Sequence, residues 1–480
     1  MELALIKKKE IVSTFLKHNI LVSKELLEKL NKPETVETWH DALTKGTHPE
    51  ELINRKTETT GSVEVIWDYT EKPHKRTIQD FVDHFNARYR AIEKILKTRQ
   101  ELKNLTSIAR VRAKKDKEEL SVIGIIENKR TTKNEHIILT IEDTSGKINI
   151  LISKTKPELL KLANDLVLDE IIGISGTAGQ DNIIFANNII IPDIPIQEPK
   201  LAPDDIYIAA LSCVHVGSAI FEKEKFNNFI QWLNGNYGNQ NEKEIATKTK
   251  YIIVTGDLVD GIGIYPDQES ELEIKDIKEQ YNEFARLFSQ IPQDKIIILG
   301  PGNHDVGRIS EPQPKLNKEY TQNIWNLPNT IMVSNPAVLR IHKTNNFAGV
   351  TVLMYHGYSF DDYGEIVPSI RESGQHISDR APLIMKYLLQ KRHLGPQHGI
   401  KHLYSPDPHT DSLVIEHIPD LFIAGHIHKA GALQYRGTTI VCGSCFQKQT
   451  TFQEKVGHIP EPGVIPLINL KTRQVNFIQF

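Results

Sequence analysis

Apolar positions recur at helical spacing close to the start of the chain, at Ile6, Ile11, Phe15 and Leu16, and again at Leu26, Leu27 and Leu30 behind the capping-type residue Ser23. This predicts a small helical module over residues 1–43. From Thr44 onward Gly, Pro, Thr and charged residues mix without a period, which predicts a flexible linker over residues 44–76. Between Thr77 and Leu102 the positions Phe81, Phe85, Tyr89, Ile92 and Leu96 form one helical stripe, so a helix with that face turned to a core is expected.

The texture then changes to β-rich runs separated by polar turns, with a hairpin across Glu142–Lys147 and the run VLDEIIGISGTAGQDNIIFANNIII behind it. Several short strands of this kind predict a compact antiparallel barrel of the oligonucleotide-binding (OB) type, although pattern alone leaves a sandwich open. With the preceding helix it makes a domain over residues 77–195. The segment IPDIPIQEPKLAPDD, Pro-rich and without a period, marks the next boundary. Beyond it, over residues 206–480, apolar runs alternate with helical stretches, the signature of an α/β domain.

A chain of 480 residues exceeds what one hydrophobic core usually supports, so two to three domains are expected. With 58 Lys and Arg against 61 Asp and Glu the formal net charge is -3, which excludes coating of nucleic acid by bulk charge and leaves only a local patch or a partner. Arg110, Arg112, Lys114, Lys115 and Lys117 form such a patch at the start of the barrel. They could meet a phosphate backbone, or equally form a solvated edge that discourages strand pairing. No apolar run approaches the ~18 residues that span a bilayer, and the first residues lack the features of a signal peptide, so no membrane contact and a cytoplasmic location are expected. The three cysteines, Cys213, Cys442 and Cys445, are too few for a disulfide framework, which fits a reducing compartment. Cys442 and Cys445 form a CxxC inside an expected strand of alternating burial and make at most half a zinc site.

The α/β domain carries the chemistry. Its apolar runs end abruptly in ligand-type residues: ALSCVHVG (Cys213, His215), IIVTGDLVDG (Asp257, Asp260), IIILGPGNHDVG (Asn303, His304), VLMYHGY (His356) and LFIAGHIH (His426, His428). Ligands collect at the carboxyl ends of strands in such domains, so the five tips are expected to converge in one crevice. His, Asp and Asn are costly to bury without partners, which makes five such endings a joint signal. Imidazoles suit Mn, Fe or Zn, and a carboxylate can bridge two cations roughly 3.5–4 Å apart. Asp257 is placed to be that bridge. His393, His398, His402 and His409 fall in a stretch rich in Pro, Gly and Asp and are expected in a polar surface loop.

The order DxH, GDxxD, GNHD, a lone His and GHxH resembles that of the calcineurin-like metallophosphoesterases, which are αββα sandwiches. The resemblance implies that His215, Asp257 and His428 hold a first divalent cation, and Asp257, Asn303, His356 and His426 a second. It also implies that His304 acts at the scissile phosphate with Asp260 orienting its ring. The first position of DxH, usually an Asp, is Cys213 here. A thiolate ligand there shifts selectivity toward Zn or Fe; a buried neutral thiol leaves the first site weak.

The layout of helical module, linker, barrel and phosphoesterase domain is similar to that of the small subunit of archaeal family D DNA polymerases. The stretches DFVDHFNARYRAIEKILKTRQEL, KRHLGPQHG and GSCFQKQTTFQEKVGHIPEPGVIPLINL carry that likeness, with Cys445 departing from the aromatic residue usual after Gly-Ser. The resemblance implies a Mn-dependent 3′–5′ proofreading exonuclease acting on a 3′ end of DNA. It also implies a large polymerising subunit as partner and the sliding clamp as a further contact. Two alternatives remain at this point: a scaffold subunit weakened through Cys213, and a stand-alone phosphatase.

Overall fold

The computed structural model describes residues 61–70, 75–111, 117–180 and 182–480. The expected helical module, most of the expected linker, and Arg112, Lys114 and Lys115 lie outside the described residues. The chain divides into two units, a small one whose described part is residues 61–63 and His342–Gly349, and a large one of Glu64–Ile341 and Val350–Phe480.

Within the stretch expected to be linker, Ser62–Asp68 is a strand, β1. The expectation fails there because the run SVEVIWD is dense in β-branched and aromatic residues, which suit a sheet edge better than a tether. The helix Ile78–Leu96 starts at a capping box, in which the Thr77 side chain accepts from the Asp80 N–H and the Asp80 carboxylate accepts from the Thr77 N–H. Its predicted stripe is turned inward: Tyr89, Ile92 and Leu96 pack with Ile123, Ile171 and Ile190 of the barrel.

The barrel consists of β2 (Glu119–Thr131), β3 (Ile137–Asp143), β4 (Gly146–Ile152), β5 (Ile171–Ala178) and β6 (Ile183–Ile190), closed in the order β2-β3-β4-β6-β5. Its inward residues, among them Val122, Leu139, Ile150, Ile172 and Ile184, form one core. The expected all-antiparallel pairing needs correction, since β4 and β6 run parallel. Closure of five strands into a ring requires this, because an odd number of strands cannot alternate direction all the way round.

The remaining strands are β7 (Tyr207–Leu211), β8 (Thr249–Val254), β9 (Ile296–Leu299), β10 (Thr330–Met332), β11 (Ala337–Lys343), β12 (Val350–Met354), β13 (Leu421–Ala424), β14 (Gly431–Tyr435), β15 (Thr438–Cys442), β16 (Val464–Asn469) and β17 (Val475–Gln479). They form two six-stranded sheets, β10-β9-β8-β7-β16-β17, parallel from β10 to β7 and antiparallel from β7 to β17, and β1-β11-β12-β13-β15-β14, parallel from β12 to β15 with antiparallel β11 and β14 beside it. The layers are those of an αββα sandwich. On one side Phe226 and Trp232 of helix Lys223–Leu233 and Phe284 and Phe288 of helix Ile277–Phe288 cover the first sheet. On the other, Ile384, Met385 and Leu388 of helix Ala381–Lys391 cover the second. The sheets meet so closely that a Cβ on Gly425 would fall 1.8 Å from Ser212 Oγ. Every residue of β15 is buried, which corrects the alternation expected around Cys442: a strand covered on both faces has no solvent side.

Barrel and sandwich are joined by buried charge. Arg88 Nε donates to Asp411 Oδ2 at 2.5 Å, with His393 Nε2 at 2.8 Å from the same oxygen, and Lys391 Nζ donates to Glu170 Oε2 at 2.8 Å. No helix among the described residues is long and apolar enough to cross a membrane.

Candidate metal centre

The five expected tips follow β7, β8, β9, β12 and β13, so the site collects strand ends from both sheets rather than from one rim. Just past these ends the backbone turns sharply. Cys213, His215, Asp257, His426 and His428 have φ of 51°, 54°, 52°, 70° and 60°, in the left-handed region that costs a residue with a Cβ about 1–2 kcal/mol. Left-handed backbone at five ligand-type residues is strain concentrated in one place, as functional sites hold it. Between them Gly256 sits at φ 119°, where a Cβ would lie 2.6 Å from His356 Nδ1.

The side chains form two groups that share Asp257. Cys213, His215, Asp257 and His428 bring donor atoms within 4.8 Å of one another, and so do Asp257, His356 and His426. In the first group His215 Nε2 lies 3.0 Å from His428 Nε2 and 3.8 Å from Asp257 Oδ2, with Cys213 Sγ 4.0 Å from that oxygen. In the second, His356 Nε2 is 3.3 Å from Asp257 Oδ2, 2.8 Å from Asn303 Oδ1 and 3.3 Å from His426 Nδ1. Asn303 therefore stands with the second group.

The ring nitrogens pointing away from the centre are held by other groups. His215 Nδ1 meets Asp260 Oδ1 at 3.1 Å, His356 Nδ1 the Thr255 carbonyl at 3.0 Å, His426 Nε2 Asp361 Oδ2 at 3.2 Å and His428 Nδ1 Gln453 Nε2 at 2.9 Å. Outward acceptors of this kind orient histidines that bind metals, as they do His215, His356 and His426, whereas the Gln453 amide donates to His428. The Asp260 carboxylate is itself braced by Gln447 at 2.7 Å and Gln268 at 3.1 Å. His304 meets Asp260 differently from what the resemblance implied: its Nδ1 lies 2.8 Å from the Asp260 main-chain carbonyl, while the carboxylate serves His215.

Burial sets the electrostatics. It pushes the His215 and His428 imidazoles below their usual pKa, His428 strongly so with His215 beside it, and both stay neutral. Burial pushes the Asp257 carboxyl up, but the surrounding imidazoles, His356 foremost, outweigh this and hold it well below the carboxylate range. Burial pulls the His356 imidazole down, but Asp257 outweighs it and raises the ring above its usual value, so a cation at the second group would displace that proton, whereas His215 and His428 are already neutral. Burial, then Asp257, raises the Cys213 thiol well above its ordinary value. The donor set thus fits two divalent cations through nitrogen and oxygen, and a thiolate at Cys213 only where a cation offsets that burial.

The centre floors a cleft of about 510 Å³. Sequence reasoning missed much of its wall: Tyr265, Tyr358, Asp361, Arg371, Arg380 and Lys401 come from loops and short helices without period, and Phe452 and His458 from a stretch read only for its family likeness. It also missed Asp305, which accepts from the Gly302 and Leu258 N–H groups and from Tyr281 and so braces the Asn303 loop. Burial, then Asp257, raises the Asp305 carboxyl to about 7. The surface loop expected around His393 to His409 is corrected in part. His398 and His409 are exposed, but His393 and His402 are buried, His402 Nε2 lying 2.7 Å from the buried Glu311 carboxylate and its ring on the cleft wall. Hydrogen bonds to the Asp411 and Glu311 carboxylates make that burial tolerable. Arg110 and Lys117 are exposed and stand outside the cleft lining.

Both domains are similar to known families. Residues 206–430 match the calcineurin-like phosphoesterase model and residues 120–195 an OB-fold nucleic acid binding domain. The chain is 37% identical to the DNA polymerase II small subunit of Methanothermobacter thermautotrophicus over 85% of its own length and 81% of that protein. With the protein of the same name from Thermoplasma acidophilum it shares 33% identity over 97% of this chain and 91% of the relative. With that of Methanocaldococcus jannaschii it shares 39% over 82% of this chain, which spans 64% of the relative.

Proposed function

The chain belongs to the family of archaeal DNA polymerase II small subunits, and from that premise we propose that its cleft is the active site of a 3′–5′ exonuclease that trims mispaired nucleotides from DNA. The observation that carries this reading is the sharing of Asp257 between two groups of donor atoms at the floor of an open cleft. Two divalent cations, Mn by this reading, supply the positive charge on which phosphodiester hydrolysis at neutral pH depends.

The chain's own groups do the rest. Asp257 holds both donor groups in register. His304, its Nδ1–H donated to the Asp260 carbonyl and its main-chain N–H to Asp257 Oδ1 at 2.8 Å, keeps Nε2 for the phosphate or the departing 3′ oxygen. Asp260, braced by two glutamines, fixes His215 and aligns His304. At Cys213 a cation such as Zn or Fe favours the thiolate, whereas Mn leaves the thiol neutral and the first group one ligand short.

The large polymerase subunit is the natural partner, and with a net charge of -3 this chain leaves much of the DNA contact to it. The barrel, with Arg110 and Lys117 exposed, offers a further nucleic-acid surface, and the sliding clamp is a further candidate contact. The assembled complex given Mn and primers with a mismatched 3′ end is expected to release mononucleotides from that end. No release, with metal content near zero, selects instead the scaffold reading that the buried thiol of Cys213 favours.

A further inference from the structure

We infer that Tyr265 and Phe452 form a stacking platform for the unpaired base at the 3′ end of the strand being cut, so that the cleft takes frayed or single-stranded ends. This rests on the nuclease reading above and adds the form of the substrate. The two rings are nearly parallel, with an interplanar angle of 21° and centroids 6.3 Å apart, and both line the cleft. The Tyr265 ring lies 6.4 Å from that of His304, close enough for a terminal base to rest there while its own 5′ phosphate is the one at His304.

Both rings are tied to the side chains that order the centre. Phe452 is 56% exposed on the short helix Thr451–Val456, where the next residue, Gln453, holds His428 Nδ1. Tyr265 donates its O–H to Glu271 at 2.8 Å, and the preceding Ile264 N–H donates to Gln268, the same side chain that braces Asp260. A lone exposed ring is ordinary, but a fixed parallel pair beside a catalytic imidazole is not explained by packing. Arg371, Arg380 and Lys401 line the same cleft, Arg371 paired with Glu372 and Lys401 with Glu365 at exposed sites where a backbone phosphate can compete for them.

Cleft volume and stacking energetics agree. A space of about 510 Å³ suits a nucleotide-sized ligand, so a terminal base that has left its helix can be housed there. That separation costs least for a mispaired base, while stacking on aromatic rings accepts any base. The platform therefore selects mispairs by their ease of fraying, with no readout of base identity.

The test uses the full chain assembled with its polymerase partner and Mn, on primers whose 3′ ends are matched, mismatched, single-stranded or capped by an abasic nucleotide. Phe452→Ala is expected to raise KM on mismatched and single-stranded ends roughly tenfold or more, with the abasic end unaffected and Phe452→Trp restoring the loss. An unchanged KM on base-bearing ends, or an equal loss on the abasic end, overturns the platform while leaving the nuclease reading intact. No cleavage of any DNA by the unaltered chain overturns that reading and the platform with it.

Discussion

At the residue scale, burial and partner choice decide what each titratable group can do. His304 Nδ1 is bound by the Asp260 carbonyl and its ring, though close to His215 and Asp260, stands outside the two donor groups that share Asp257, so by the proposed reading His304→Ala removes an acid or charge donor and no ligand. Cleavage is expected to fall by about 10²–10⁴-fold with two cations still bound, as metal analysis alongside a turnover assay will show. Loss of metal in that variant would place His304 among the ligands instead. Cys213→Asp replaces a thiol that burial keeps protonated with a group that ionises readily, and Mn-dependent turnover is expected to rise. Equal or lower turnover would identify a working thiolate. His393 gives a pH prediction. Burial, then Arg88, pushes it down to about 4, so it is neutral in the fold while its unfolded counterpart protonates below the ordinary value of 6.5. The folded pKa is depressed; the stability is therefore complete above 6.5 and is lost as pH falls toward 4, by up to about 3 kcal/mol. Urea midpoints of His393→Gln should fall less than those of the unaltered chain between pH 7 and 4.5; parallel slopes would contradict this.

At the scale of elements, Arg88 of the helix Ile78–Leu96 reaches the loop that carries His393 and Asp411, and among the described residues no other full positive charge stands against Asp411. Arg88→Met keeps the volume and strands a buried carboxylate, so thermal denaturation should show a loss of about 3–5 kcal/mol. A neutral outcome would mean that Asp411 takes up a proton at little cost. The same elements show what the sequence could and could not display. The strand tips were legible because each ligand residue follows a continuous apolar run, IIVTGD or LFIAGH, whose burial leaves little choice of structure. The face of the helix Ile78–Leu96 was legible from its period. The burial of His393 and His402 was not, since a polar stretch becomes interior only when distant charges come to meet it, Arg88 at the Asp411 carboxylate beside His393 and Glu311 at His402. Phe452 and the basic wall residues lay hidden for the same reason: short loops and helices carry no period, and tertiary contact alone brings them to the cleft.

At the scale of the whole molecule, a closed barrel and a two-sheet sandwich are joined by the buried pairs Arg88–Asp411 and Lys391–Glu170, so the cleft sits in a body fixed to its nucleic-acid-type barrel. The centre itself depends on strands from two sheets meeting at the Gly256 and Gly425 turns, which is why its ligands lie 213 residues apart in sequence at His215 and His428 and yet 3.0 Å apart in space. The measurement that tests this account most directly is anomalous diffraction from crystals of the chain grown with Mn. Two peaks about 3.5–4 Å apart, one on each side of the Asp257 carboxylate, are the expected result. A map with no peak at Asp257, or with manganese bound only elsewhere, would contradict the two-cation centre and the hydrolase with it.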